Sequence, residues 1–165
     1  MELKHEAGTT RRVLERVPQE QLTWKPHEKS MTLGRLAYHI ATTPGEIADW
    51  LAEDTVQLNM DYKPVEPATV ADILQAHEAS IAKASAYLES LTPEKFMAIW
   101  RLMAGPQELI AMPRAVCIRS IMLNHWIHHR GQLSVYLRLL NVAVPSIYGP
   151  SADDNPMAQK ASQSA

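Results

Sequence analysis

From Leu3 to Val17, apolar or small positions return every three or four residues, at Leu3, Ala7, Thr10, Val13, Leu14 and Val17, before Pro18 closes the run. That period belongs to an amphipathic helix, and the proline, having no N–H to continue the ladder, ends it. Residues 18–31 lose the period and carry Pro18 and Pro26 around Trp24, so they read as an ordered connection whose tryptophan covers the core. The period resumes at Leu33, Leu36, Ala37, Ile40, Ile47 and Leu51, with Ser30 or Thr32 available as N-cap. Pro44 falls inside this second helix. Because Thr43-Pro44-Gly45-Glu46 also has the composition of a fresh helix start, a kink or short break is expected there.

Residues 54–68 show no apolar period and contain Pro64 and Pro67, which predicts a loop across one end of the molecule. Thr69 and Asp72 have capping-box spacing and open a third helix, with Ile73, His77, Ile81, Ala84 and Leu88 on one stripe. A short helical turn follows at Thr92-Pro93-Glu94. The runs 100–103 and 108–112 then flank Ala104-Gly105-Pro106-Gln107 as a possible small hairpin. The last helix runs from Pro113 to Leu140, and a straight 3.6-residue period places Ile118, Ile121, Met122, His125, His129, Leu133, Tyr136 and Leu140 on its inner face. The pattern predicts an all-α fold: a four-helix bundle over residues 1–150 with a long C-terminal helix, and a mobile tail over 151–165.

Composition narrows the class. The 165 residues suffice for one core without staples, and 16 Lys and Arg stand against 18 Asp and Glu with no long block of either sign. Neither a nucleic-acid partner nor a membrane partner is expected, since no basic stripe and no run of roughly 18 apolar residues is present. Cys117 is the only cysteine, which precludes an internal disulfide, and the first residues lack the apolar stretch of a signal peptide. A soluble cytoplasmic protein is the expectation.

Candidate chemistry enters with the histidines. His125 and His129 lie four residues apart, so on a helix they differ by about 40° and stack one turn above the other. Such a pair can face one ion, but an open catalytic metal site commonly takes three protein ligands. His39, at the edge of the second helix's stripe, is the candidate third ligand; together the three form a facial nitrogen set suited to zinc or nickel. Spacing alone leaves ligation and ordinary hydrogen-bonded histidines equally open. Trp126 stands where a zincin would carry its glutamate base.

The runs from Trp24 to His39 and from Asn124 to Leu133, together with the ending from Val144 to Ser151, resemble the DinB family of damage-inducible-type proteins over nearly the whole chain. The resemblance implies a helical bundle, often a homodimer, that holds a divalent metal on His39, His125 and His129. It further implies a metal-dependent enzyme in which the ion activates a water or a low-molecular-weight thiol, of thiol-transferase or hydrolase type. A non-enzymatic metal-binding stress-response protein is the alternative.

The remaining polar residues divide by position. His128 is expected to flank the site, His77 to be a satisfied core histidine ahead of a fourth ligand, and His27 to be a structural loop residue. Gln132 is placed to hydrogen-bond a ligand or a water. Gly131 is expected to allow close approach of another helix, and Arg130 to point away from the ligand face toward the surface or a dimer contact. Tyr38, Trp50, Trp126 and Tyr148 read as pocket wall, core or interface, and Cys117 as a buried small hydrophobe.

Overall fold

In the computed structural model, which describes residues 2–156, the first helix α1 (Glu2–Leu14) buries Leu3, Glu6, Thr9, Thr10, Val13 and Leu14. A single 3₁₀ turn (Gln19–Gln21) leads into the Trp24 connection. There the Trp24 ring meets Tyr136 edge-on at 5.7 Å, and its carbonyl accepts the Leu33 N–H at 2.8 Å. Helix α2 (Leu33–Ala52) starts where Thr32 accepts the Arg35 N–H at 3.1 Å. Helix α3 (Val70–Ser90) opens with the complete Thr69–Asp72 capping box, and the short α4 (Pro93–Met97) is capped by Thr92. The last helix, α5, is built of three consecutive stretches, Arg114–Cys117, Ile118–His125 and Trp126–Leu139, of which the middle one is π-helical. Asn141, in the left-handed region at φ 58°, ends it: its N–H goes to the Arg138 carbonyl and that of Val142 to the Leu137 carbonyl, a Schellman stop.

The all-α expectation is corrected by a three-stranded sheet. Strands β2 (Ile99–Ala104) and β3 (Gln107–Pro113) form the antiparallel hairpin anticipated around Gly105, whose φ of +56° suits the first central position of a tight hairpin turn. The third strand, β1 (Thr55–Gln57), lies in the stretch read as loop and pairs parallel with β2. Three residues are too few to display a period of two, so β1 is specified by its partner rather than by its own pattern. Among the described residues the protein is thus mostly helical, with five helices and one small sheet. Helix α2 packs on α3 and α5, and α1 packs on the same two, around a core that includes Leu14, Leu33, Leu36, Ile40, Leu51, Met122, Trp126 and Leu137.

Pro44 does not break α2, which runs uninterrupted from Leu33 to Ala52. The missing N–H at Pro44 leaves the Ile40 carbonyl without its helical donor, and the buried Trp126 indole Nε1–H of α5 donates to that oxygen at 2.8 Å. Next to it the Ser80 hydroxyl of α3 accepts the Gly45 N–H at 2.8 Å and donates to the Thr42 carbonyl at 3.1 Å. Two neighbouring helices therefore supply the partners that the proline removes. Gly45 also lets α2 and α3 approach closely, since an added Cβ would sit 2.9 Å from Ser80 Cα. The close approach expected at Gly131 is absent: that residue is exposed and a Cβ there meets nothing within 4 Å.

Residues 144–154 fold back on α1 and α5, with Val144 and Ser146 N–H groups donating to Asp153 and Asp154 and the Arg138 guanidinium paired with Asp153. The greater part of the expected mobile tail, 157–165, lies outside the described residues. Among the described residues no helix is long and apolar enough to cross a membrane.

Candidate metal centre

His39 lies on the second turn of α2, His125 closes the π-helical stretch of α5, and His129 lies one turn further along α5. The fold brings the three together: one ring nitrogen from each lies within 4.8 Å of the others. His39 Nε2 and His125 Nε2 are 3.1 Å apart. Two nitrogens each about 2.0–2.1 Å from one ion and at roughly right or tetrahedral angles would be separated by about 2.8–3.4 Å, so this spacing suits adjacent ligands of one cation. The ring centroids are 5.3, 4.7 and 4.4 Å apart and the planes nearly perpendicular, so the three imidazoles meet edge to face.

The electrostatics agree with a cation site. Burial pushes the His39 imidazole down to about 4, with the His129, His125 and Arg35 charges acting in the same direction. Burial likewise lowers His125 and His129, with the neighbouring histidines adding to it. All three are therefore neutral at pH 7, the form that offers a lone pair to a metal. His129 Nδ1 is 2.7 Å from Gln132 Oε1. Because that oxygen only accepts, Nδ1 carries the proton and Nε2 is left bare, which fixes tautomer and ring orientation together.

The other candidates fall outside the triad. His128 is exposed, its ring 5.1 Å from that of His129. His77 is buried against Trp126 with Nε2 at 3.2 Å from the Ala7 carbonyl, and it is not part of the three-histidine cluster. Cys117 is buried and its thiol is pushed up to about 11, which removes it as a nucleophile. His27 is an exposed loop residue whose Nδ1 accepts the Lys29 N–H.

Arg130 corrects the expectation of a surface residue. It is 1% exposed, paired with the buried Glu6 carboxylate at 2.7 Å, and it donates to the Glu6 carbonyl and the Thr10 hydroxyl. Tyr148 completes this cluster, its hydroxyl donating to Glu6 at 2.8 Å and its ring lying 5.1 Å from the guanidinium carbon. The misplacement follows from the π-helical stretch, whose i→i+5 turns break the phase carried forward from Ile118 and Met122. Beyond it the buried stripe is Trp126, Arg130, Leu133 and Leu137, and the two histidines ride on its flank, half-buried.

Beside His39 a cleft of about 160 Å³ opens between α2 and the 62–65 segment, lined by Arg35, Tyr38, His39, Thr42, Tyr62 and Val65. Arg35 was legible as a neighbour of the site, because it precedes His39 by four residues on a helix. Tyr62 was not, since it lies on a segment without periodic pattern.

A model of the DinB family matches residues 1–160. The chain belongs to the DinB family. The uncharacterized protein YrdA of Bacillus subtilis (strain 168) is 28% identical over 149 residues, spanning 90% of this chain and 85% of that protein. The crystal structure of a DinB-like protein from Bacillus cereus ATCC 10987 superposes with a TM-score of 0.67 at 25% identity, covering 88% of this chain and 92% of that one. A DinB-like protein of Bacillus subtilis, YjoA, gives 0.62 at 23% identity over 82% and 87%, a likeness of fold.

Proposed function

We propose that this DinB family member is a metal-dependent enzyme whose divalent ion is held by His39, His125 and His129. The observation that carries the reading is the convergence of three neutral imidazoles, two of them with nitrogens 3.1 Å apart, beside a cleft that His39 lines. An all-imidazole set suits zinc or nickel, and three protein ligands leave room for a further group, as catalytic sites do. When bound, such an ion lowers the pKa of a coordinated water or thiol, which is the chemistry of hydrolases and thiol transferases. The chain's own part is positional: Gln132 holds the His129 tautomer, Trp126 ties the His125 turn to α2, and the Tyr38 and Tyr62 side chains wall the cleft. The homodimer implied by the family resemblance belongs to the same proposal, and light scattering reads it directly.

Elemental analysis of protein purified without chelator or metal resin tests the reading. One divalent ion per chain is expected, with its loss in His125→Ala, followed by a thiol-transfer or hydrolysis activity that the same substitution removes. A metal-free wild-type protein would make this a helical interaction module, and a bound metal with no activity in either screen would favour the non-enzymatic metal-binding alternative.

A further inference from the structure

Arg35 occupies a place that electrostatics disfavours. It is the third residue of α2, whose first turn carries no acidic residue, and the positive end of the helix macrodipole repels a cation there. Six of the nine arginines each meet a carboxylate, whereas among the described residues no ion pair includes Arg12, Arg16 or Arg35, and of these three only Arg35 lines the cleft. Glu66, just beyond the cleft-lining segment, accepts instead from the Thr32 hydroxyl at 2.8 Å. Arg35 is half-buried and lines the cleft together with His39 and Tyr62. Two neighbouring features therefore add positive potential at this end of the cleft, the guanidinium and the N-terminus of α2, and the Glu66 carboxylate there is engaged by the Thr32 hydroxyl rather than by Arg35.

We propose that the cleft docks a small carboxylate-bearing substrate, its carboxylate on the Arg35 guanidinium and its reactive end at the His39–His125–His129 triad. This deepens the metal-site reading and rests on it for the second half of the statement. The dimensions fit: residues four apart on a helix have Cβ atoms about 5–6 Å apart, so a molecule only a few bonds long spans from Arg35 to the triad. The planar guanidinium accepts a carboxylate through two parallel hydrogen bonds, which fixes direction as well as affinity. The polarity of the cleft thus favours one anionic group placed at the Arg35 end.

The test compares two thiols that differ in a carboxylate. Wild type and Arg35→Gln, each loaded with cobalt(II) and metal-free, are titrated calorimetrically with 3-mercaptopropionate, 2-mercaptoethanol and inorganic phosphate, while cobalt–thiolate absorption reports arrival at the triad. Wild type is expected to prefer 3-mercaptopropionate by roughly 10- to 100-fold, the worth of a charge-assisted hydrogen-bond pair. The preference should vanish in Arg35→Gln and return in part in Arg35→Lys, which keeps the charge without the fork. No preference in wild type, or the same preference in Arg35→Gln, overturns the proposal, and phosphate competing equally well overturns the carboxylate assignment. Failure of cobalt to bind defeats the metal reading alone, because the metal-free titrations still decide whether Arg35 selects the carboxylate.

Discussion

His129 and Arg130 are consecutive residues on one helix, about 100° apart around its axis, and they illustrate two uses of a polar side chain. Arg130 is wholly buried, its charge met by Glu6 and its Nη1 donating to the Thr10 hydroxyl and the Glu6 carbonyl, so the group is committed to the core. His129 is half-buried, one nitrogen committed to Gln132 and the other directed at His39 and His125 without a proton to donate. A satisfied buried charge marks architecture; an oriented lone pair among others of its kind marks a binding site.

The sharpest test of this contrast is to remove each side chain in turn. His129→Ala is expected to abolish stoichiometric metal binding while metal-free stability changes little, and His128→Ala should leave binding intact. Metal titration of both proteins checks this; equal loss in the two would mean the helical register is wrong. Arg130→Met should instead cost about 3–5 kcal/mol of folding stability, because it strands the Glu6 carboxylate in the core. Denaturant unfolding measures it, and a loss under 1 kcal/mol would place Arg130 with the exposed arginines after all.

Between these extremes stands Trp126, which belongs to both regions. Trp126→Phe leaves the Ile40 carbonyl buried without a donor and should destabilise by roughly 1–3 kcal/mol. In a Pro44→Ala background the restored N–H can serve that carbonyl, so the same substitution should cost less. A double-mutant cycle that shows simple additivity would disprove the coupling.

The smallest expected effect concerns His77, whose pKa burial lowers despite the Ala7 carbonyl beside it. A folded value below the unfolded one means that the unfolded chain takes up the proton first as pH falls. Stability is therefore full above about pH 6.5 and declines below it, by at most about 1.4 kcal/mol per pH unit for one proton. His77→Gln, which keeps a donor for the Ala7 carbonyl, should flatten that slope in unfolding measurements between pH 6.5 and 5.

Much of this was readable from the chain. The helix starts at Thr32 and Thr69 are capping chemistry written locally, and the hairpin announces itself through Gly105-Pro106 between two short runs. The histidine triad was legible because four-residue spacing survives any later shift of the helix, and because His39 stood at the edge of the second helix's stripe, a choice the family resemblance then supported. What escaped depends on partners distant in sequence. Strand β1 is defined by β2 some 46 residues later, from Thr55 to Arg101. The Arg130 environment is set by Glu6 and Tyr148, and no local pattern distinguishes an arginine with a buried acid from one in water. Pro44 was read as a breaker because the donor that makes it harmless, the Trp126 indole, comes from another helix.

That indole bond has a thermodynamic consequence for the ion. Ile40 follows His39 and Trp126 follows His125, so the strut between α2 and α5 lies one residue from each of two ligands that are 86 positions apart in the chain. The conformational entropy of bringing these two histidines together is spent when the protein folds, so an ion bound there would meet a preorganised pair. A gap in the hydrogen bonding of α2, opened by one proline, thereby acts as the register mark that presets the distance across the site.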